Sequence, residues 1–233
     1  MTGKLTLALL SDFHCSAAQQ AIACVLDALT EAHLPRVAPI KVGYLASAHE
    51  PERDYYRQTQ VAYAALGAEL CCYTDLQQDY SASALQALCQ CDAIHLAGGD
   101  TFAFLAAIQQ RGAMECLQAF AAKGAAMIGL SAGAMLMTPN ITSASLCGDH
   151  NQVQLDNLSA LGLLPYQFVP HVDFSQHGVD ISVAAAQLIA SQELAQYPLI
   201  LCADSDALVY REQQLIGFGQ PLLFDGVALM ALT

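Results

Sequence analysis

A mostly parallel β-sheet with helices on both faces, ending in a C-terminal antiparallel meander, is the α/β fold this sequence predicts. Three observations point to it. Short, near-continuous apolar runs alternate with longer helix-like stretches as far as Leu130. The runs are apolar at successive positions rather than at alternate ones, as in strands buried on both faces by right-handed crossover helices. After Leu199 the runs become short and are separated only by turns.

In order along the chain, Leu5–Leu10 reads as a buried strand, and Ala17–Ala32 as a helix in which Ile22, Val25, Leu26 and Leu29 recur at helical spacing. Lys41–Ala46 is the second strand, Glu52–Leu66 the second helix and Ala68–Tyr73 the third strand. Ser81 caps a helix reaching about Cys89. Asp92–Ala97 is a strand, Thr101–Gln110 and Met114–Lys123 are helices, and Ala125–Leu130 is the fifth strand. A polar connection, Thr138–Ser159, precedes the strand Gln167–Pro170 and a helix from about Val179 to Ser191. Leu199–Cys202, Ala207–Tyr210, Gln214–Phe218 and two further short runs form the expected meander. With no linker, low-complexity tract or internal repeat, residues 1–233 read as one domain.

Composition narrows the function. The chain is 55% hydrophobic and 12% charged, enough apolar material for a substantial core, and its runs are too short and too often broken to span a bilayer. Its 21 acidic residues against 8 basic ones leave a net charge of −13 and no footprint for a polyphosphate, so neither nucleic acid nor membrane is an expected partner. The apolar composition is compatible with a homodimer. The nine cysteines include no pair at zinc or redox spacing, and most lie in apolar segments, as small buried hydrophobes do in a reducing compartment. Leu5–Leu10 is too short for the core of a signal peptide, which makes the cytoplasm the expected location.

The chemistry concentrates at Gly129-Leu130-Ser131-Ala132-Gly133, directly after a predicted strand and before a helix. A turn this sharp lifts the serine out of the backbone as a nucleophile elbow, and the N–H of Ala132, at a helix N-terminus, can stabilise an oxyanion. The bare five-residue pattern arises by chance in about one chain in ten of this length, so its partners decide its meaning. A serine needs a histidine to take its proton and usually a carboxylate to orient that histidine. His171, at the end of the strand Gln167–Pro170, is the first choice for the base; His177, which shares the loop, is the runner-up and reads more easily as a cap or a substrate contact. His95 lies inside an apolar strand and reads as core. Asp204, just beyond Leu199–Cys202, is the preferred carboxylate, with Asp206, Asp149 and Asp173 as alternatives. A second oxyanion donor requires a glycine turn, and Ala97-Gly98-Gly99-Asp100-Thr101 supplies one, in which Asp100 or Thr101 also suits the cap of the next helix.

Taken together, Gly98-Gly99-Asp100-Thr101, Gly129-Leu130-Ser131-Ala132-Gly133-Ala134, Pro170-His171 and Asp204-Ser205-Asp206-Ala207-Leu208 resemble the peptidase E and cyanophycinase family of serine peptidases. The resemblance implies a fold like that of class I glutamine amidotransferases, with serine at the position of their cysteine. It also implies Ser131 as nucleophile, His171 as base, Asp204 in place of the family's usual glutamate, and the N–H groups of Gly99 and Ala132 as the oxyanion hole. Aspartate for glutamate shortens the reach to the histidine by one methylene. The family's aspartyl-dipeptide branch carries basic residues after its histidine, whereas here no lysine or arginine occurs between Lys123 and Arg211.

The expected activity is hydrolysis of short peptides through an acyl-enzyme on Ser131, with no metal and no organic cofactor. Two alternatives compete with it. A non-catalytic relative would keep the fold to bind a small molecule or a protein. An α/β-hydrolase esterase would need a late histidine, and none follows His177.

Overall fold

The computed structural model describes residues 4–32, 38–173 and 197–232. The helix expected over Val179–Ser191 and His177 lie outside the described residues.

Along β1 (Thr6–Leu10), Leu7 and Leu9 join one hydrophobic cluster while Ala8 and Leu10 join another, and all four are fully buried. Alternation to two buried faces is the property of a strand at the middle of a sheet. β1 pairs in parallel with β5 (Ala126–Leu130), placing Leu10 opposite Leu130. On the far side of β5 come β4 (Ala93–Leu96), β2 (Ile40–Leu45) and the edge strand β3 (Ala68–Thr74), all parallel. Helices α1 (Ser16–Ala32) and α2 (Asp54–Ala65) cover one face through Ile22, Val25, Leu26 and Tyr63. The other face is covered by α3 (Ala82–Leu88), α4 (Thr101–Gln110), α5 (Ala113–Ala122) and α6 (Ala132–Met135), which bury Leu85, Phe104, Leu117 and Met135.

The C-terminal strands are largely antiparallel, as expected, but are divided between two sheets. β8 (Ala207–Arg211) pairs antiparallel with β1, and β9 (Gln214–Phe218) with β8, completing a seven-stranded sheet. β7 (Leu199–Leu201) instead pairs in parallel with β6 (Gln167–Val169) and antiparallel with β10 (Leu222–Phe224), which carries β11 (Leu229–Ala231). The final strands are therefore shared between two sheets. Short apolar runs carry no sign of which neighbour they will pair with; Leu208 and Tyr210 of the first sheet share the large core cluster with Phe168 and Ile200 of the second. The polar connection after the elbow contains a 3-10 turn, Thr142–Cys147. No helix among the described residues is long and apolar enough to cross a membrane.

Candidate active site

The parallel strands set out the site at their C-terminal ends. β5 delivers Ser131, and on either side of it stand the residues that follow β1 (Ser11, Asp12) and β4 (Gly98, Gly99), with Ser47 beyond β2. Ser131 has φ 49° and ψ −110°, a conformation that side-chain-bearing residues rarely adopt, and its N–H donates to Leu10 O at 2.8 Å. The flanking glycines are dictated by packing. A Cβ on Gly129 would meet Ala134 N and Cα at 2.5 Å, and one on Gly133 would penetrate the Leu96 carbonyl.

Ser131 Oγ lies 2.8 Å from His171 Nε2, and His171 Nδ1 lies 2.6 Å from Asp204 Oδ1. A carboxylate can only accept, so Nδ1 carries the ring proton and Nε2 is left to accept from the serine hydroxyl. The histidine and the aspartate come from adjacent parallel strands, β6 and β7, whose pairing continues past their ends through Val172 N–H to Cys202 O at 3.0 Å. Both side chains face solvent, 46% exposed for His171 and 63% for Asp204.

Two serines that sequence reasoning passed over hold this arrangement. Ser11 Oγ, fully buried, accepts the backbone N–H of His171 at 2.7 Å and stands 3.2 Å from Asp204 Oδ1, to which its hydroxyl can donate. Ser47 Oγ donates to Gly98 O. In a trans peptide the N–H points opposite to the C=O, so the Gly99 N–H is turned from the β2 side toward the β5 side, where Ser131 stands. Among the described residues, neither the Gly99 N–H nor the Ala132 N–H donates to another group of the fold, and Ala132 opens α6, where no intrahelical acceptor exists. Ser11 and Ser47 carry no sequence pattern of their own; each takes its place only from lying just past the C-terminal end of a parallel strand, β1 or β2.

The other sequence candidates are placed elsewhere. Asp206 is buried and accepts the N–H groups of Ala203 and Gln220 at 3.0 and 2.8 Å, tying two turns together. Asp149 accepts from the Thr101 hydroxyl at 2.6 Å. Asp100 caps α4 by accepting the Ala103 N–H at 2.8 Å. Asp173 is exposed, just past His171. His95 is in the core, stacked 5.2 Å from Tyr44 and sharing a 3.1 Å hydrogen bond with the Tyr63 hydroxyl; burial pushes its pKa down to about 3.

Ser131, His171 and Gly99 open onto a cleft of about 540 Å³ whose lining includes Asp12, His14, His49 and Glu50. Glu50 is anchored by the Tyr44 hydroxyl at 3.2 Å and the Tyr56 N–H at 3.3 Å. His49 Nδ1 pairs with the fully buried Asp75 at 3.0 Å, a second histidine–carboxylate couple on the cleft wall. A wider depression of about 790 Å³, lined by residues such as Arg111 and Asn157, includes none of these groups.

Comparison with known proteins follows the same outline. The chain matches the model of peptidase family S51 over residues 9–217. It is 32% identical over 118 residues to peptidase E of Citrobacter koseri, covering 51% of this chain and 48% of that protein. To peptidase E of Salmonella arizonae it is 36% identical over 90 residues, covering 39% of this chain and 38% of that protein. The chain spans about half the length of the curated relatives it matches. Among solved structures, a peptidase E candidate from Listeria monocytogenes superposes with a TM-score of 0.66 at 23% identity, covering 92% of this chain and 98% of that one. A peptidase from an acI-B1 Actinobacterium gives 0.64 at 18% identity, covering 100% and 95%. These last two likenesses are of fold.

Proposed function

This chain belongs to peptidase family S51, and from that premise we propose that it is a serine peptidase that hydrolyses short peptides through an acyl-enzyme on Ser131. The observation that carries the reading is the continuous relay from Ser131 Oγ through His171 to Asp204, at 2.8 and 2.6 Å, on the rim of a cleft. In this mechanism Oγ attacks the scissile carbonyl carbon while its proton passes to His171 Nε2. The carbonyl oxygen becomes an oxyanion held by the Gly99 and Ala132 N–H groups. Asp204 stabilises the imidazolium, which then gives its proton to the departing amine as the C–N bond breaks. Water, deprotonated by the same imidazole, releases the acyl group and restores the hydroxyl.

A cleft of about 540 Å³ is in the size range of small-ligand pockets, which supports short substrates. Among the described residues its lining carries two carboxylates, Asp12 and Glu50, and no lysine or arginine. That balance favours substrates with a neutral or cationic residue at the cleft over those with an acidic one.

The test is labelling of the folded protein with a fluorophosphonate, followed by peptide mapping, and turnover of a dipeptide panel by the wild type and Ser131→Ala. Label on Ser131 and loss of turnover in the variant are expected. An unlabelled Ser131, or equal turnover by both proteins, would overturn the assignment.

A further inference from the structure

On the far side of the sheet edge, three thiols converge. We propose that Cys71, Cys72 and Cys91 form a three-thiolate site for a soft, closed-shell metal cation of the Zn²⁺ type, at the start of β4 and away from the catalytic rim.

The backbone creates the convergence. Neighbouring residues of a strand normally point to opposite faces, so Cys71 and Cys72 of β3 should face apart. The register between β2 and β3 shifts here, however: Val42 lies opposite Leu70 and Gly43 opposite Cys72, leaving Cys71 as the extra residue of a β-bulge on an edge strand. A bulge re-aims a side chain, and both sulfurs turn to the same partner. Cys71 Sγ is 3.5 Å and Cys72 Sγ 3.6 Å from Cys91 Sγ, with all three sulfurs within 4.8 Å of one another.

Room for the group comes from β2. A Cβ on Gly43 would lie 3.1 Å from Cys72 Sγ and 3.2 Å from Cys91 Sγ, so glycine leaves the sulfurs free to adjust. Around a tetrahedral ion with bonds of about 2.3 Å, adjacent sulfurs sit about 3.8 Å apart, close to the spacing already present. Cys71 is exposed, which gives an ion its way in. Thiolates of this number select soft cations over Mg²⁺ or Ca²⁺. Binding replaces three S–H bonds by three metal–sulfur bonds and releases three protons, leaving one position on the ion for water.

The experiment titrates the reduced full chain with Cd²⁺, reading thiolate-to-metal charge-transfer absorption, and measures Zn²⁺ affinity by competition with a chromophoric chelator. One ion per chain is expected. Cys71→Ser and Cys91→Ser should each weaken Zn²⁺ binding by about a hundred-fold or more. The double variant Cys89→Ser/Cys116→Ser removes the neighbouring thiol pair, whose sulfurs also touch, and should leave binding unchanged. Cys71 is on the surface, so its variant keeps the fold, as circular dichroism will show. Absence of charge-transfer absorption, undiminished binding in Cys71→Ser, or loss of binding with the Cys89/Cys116 pair alone would each overturn the site.

Discussion

Replacing Asp204 and Asp206 one at a time by alanine should separate chemistry from stability, although the two carboxylates are only two residues apart. Asp206 is 2% exposed and accepts from Ala203 N–H, Gln220 N–H and the Ser205 hydroxyl at 3.0, 2.8 and 3.2 Å. Hydrogen bonds to a charged acceptor are worth roughly 1.5–3 kcal/mol each, but removing the carboxylate also relieves its desolvation. A net loss of about 3 kcal/mol for Asp206→Ala is the reasonable sum, or about 6–12 °C in Tm for a chain of this size. Its kcat/KM, measured well below the new Tm, should stay within about three-fold of wild type. Asp204 touches the His171 ring at 2.6 Å but is 63% exposed, so water can solvate Nδ1 once the carboxylate is gone. Loss of a well-shielded triad aspartate costs roughly 10⁴ in rate; with that exposure, about 10²–10³ in kcat/KM is expected for Asp204→Ala, with Tm within about 2 °C. Differential scanning fluorimetry and steady-state hydrolysis of the best dipeptide measure both quantities. An Asp206→Ala protein that is folded yet loses activity as steeply as Asp204→Ala, or an Asp204→Ala protein with full activity, would refute this division of roles.

Three other perturbations have defined outcomes. Ser11→Ala removes the acceptor of the His171 N–H and a contact of Asp204, so kcat should fall by about ten- to a hundred-fold with KM little changed; an effect confined to KM would deny Ser11 a positioning role. Gly133→Ala forces a methyl into the Leu96 carbonyl, and the expected result is a loss of about 3 kcal/mol or more in urea unfolding together with loss of fluorophosphonate labelling; a stable, fully labelled variant would contradict the packing argument. His95 is held near 3 by burial against an ordinary 6.5, so folding withholds a proton that the unfolded chain accepts. Its neutral form costs nothing above about pH 6.5, and stability falls as pH drops below that value, by roughly 3 kcal/mol at pH 4.5. Urea midpoints at pH 7.5 and 4.5 should therefore converge in His95→Asn relative to wild type, and an unchanged difference would rule this histidine out as an acid-sensitive group.

What the sequence made legible was whatever is encoded locally. The elbow and the double-glycine turn are short patterns whose geometry depends on neighbours in the chain, and the apolar runs gave the five parallel strands within a residue or two. His171 and Asp204 could be picked because each closes a short strand. Ser11 and Ser47 were not legible because a lone serine carries no pattern; their meaning comes from Leu10 lying beside Leu130 and from Leu45 lying beside Leu96, which are facts of pairing. The division of the last strands between two sheets escaped for the same reason. So did the role of Asp206, whose partner Gln220 is fourteen residues away in a different turn.

The end of β1 emerges as the joint of the whole site. Ser131 belongs to the large sheet, while His171 and Asp204 belong to the small one, so their separation depends on how the two sheets meet. Both Ser131 and His171 carry positive φ, 49° and 59°, conformations that cost of order 1–3 kcal/mol each and persist only when the surroundings over-determine them. The two hydrogen bonds that fix these backbones end on consecutive residues: Ser131 N–H on Leu10 O, and His171 N–H on Ser11 Oγ. Leu10 and Ser11 are fully buried, and Leu10 is clamped between β5 and β8. One rigid dipeptide thus sets the distance between a serine and a histidine forty residues apart, and any change that shifts Leu10 or Ser11 should reach the chemistry before it reaches the fold.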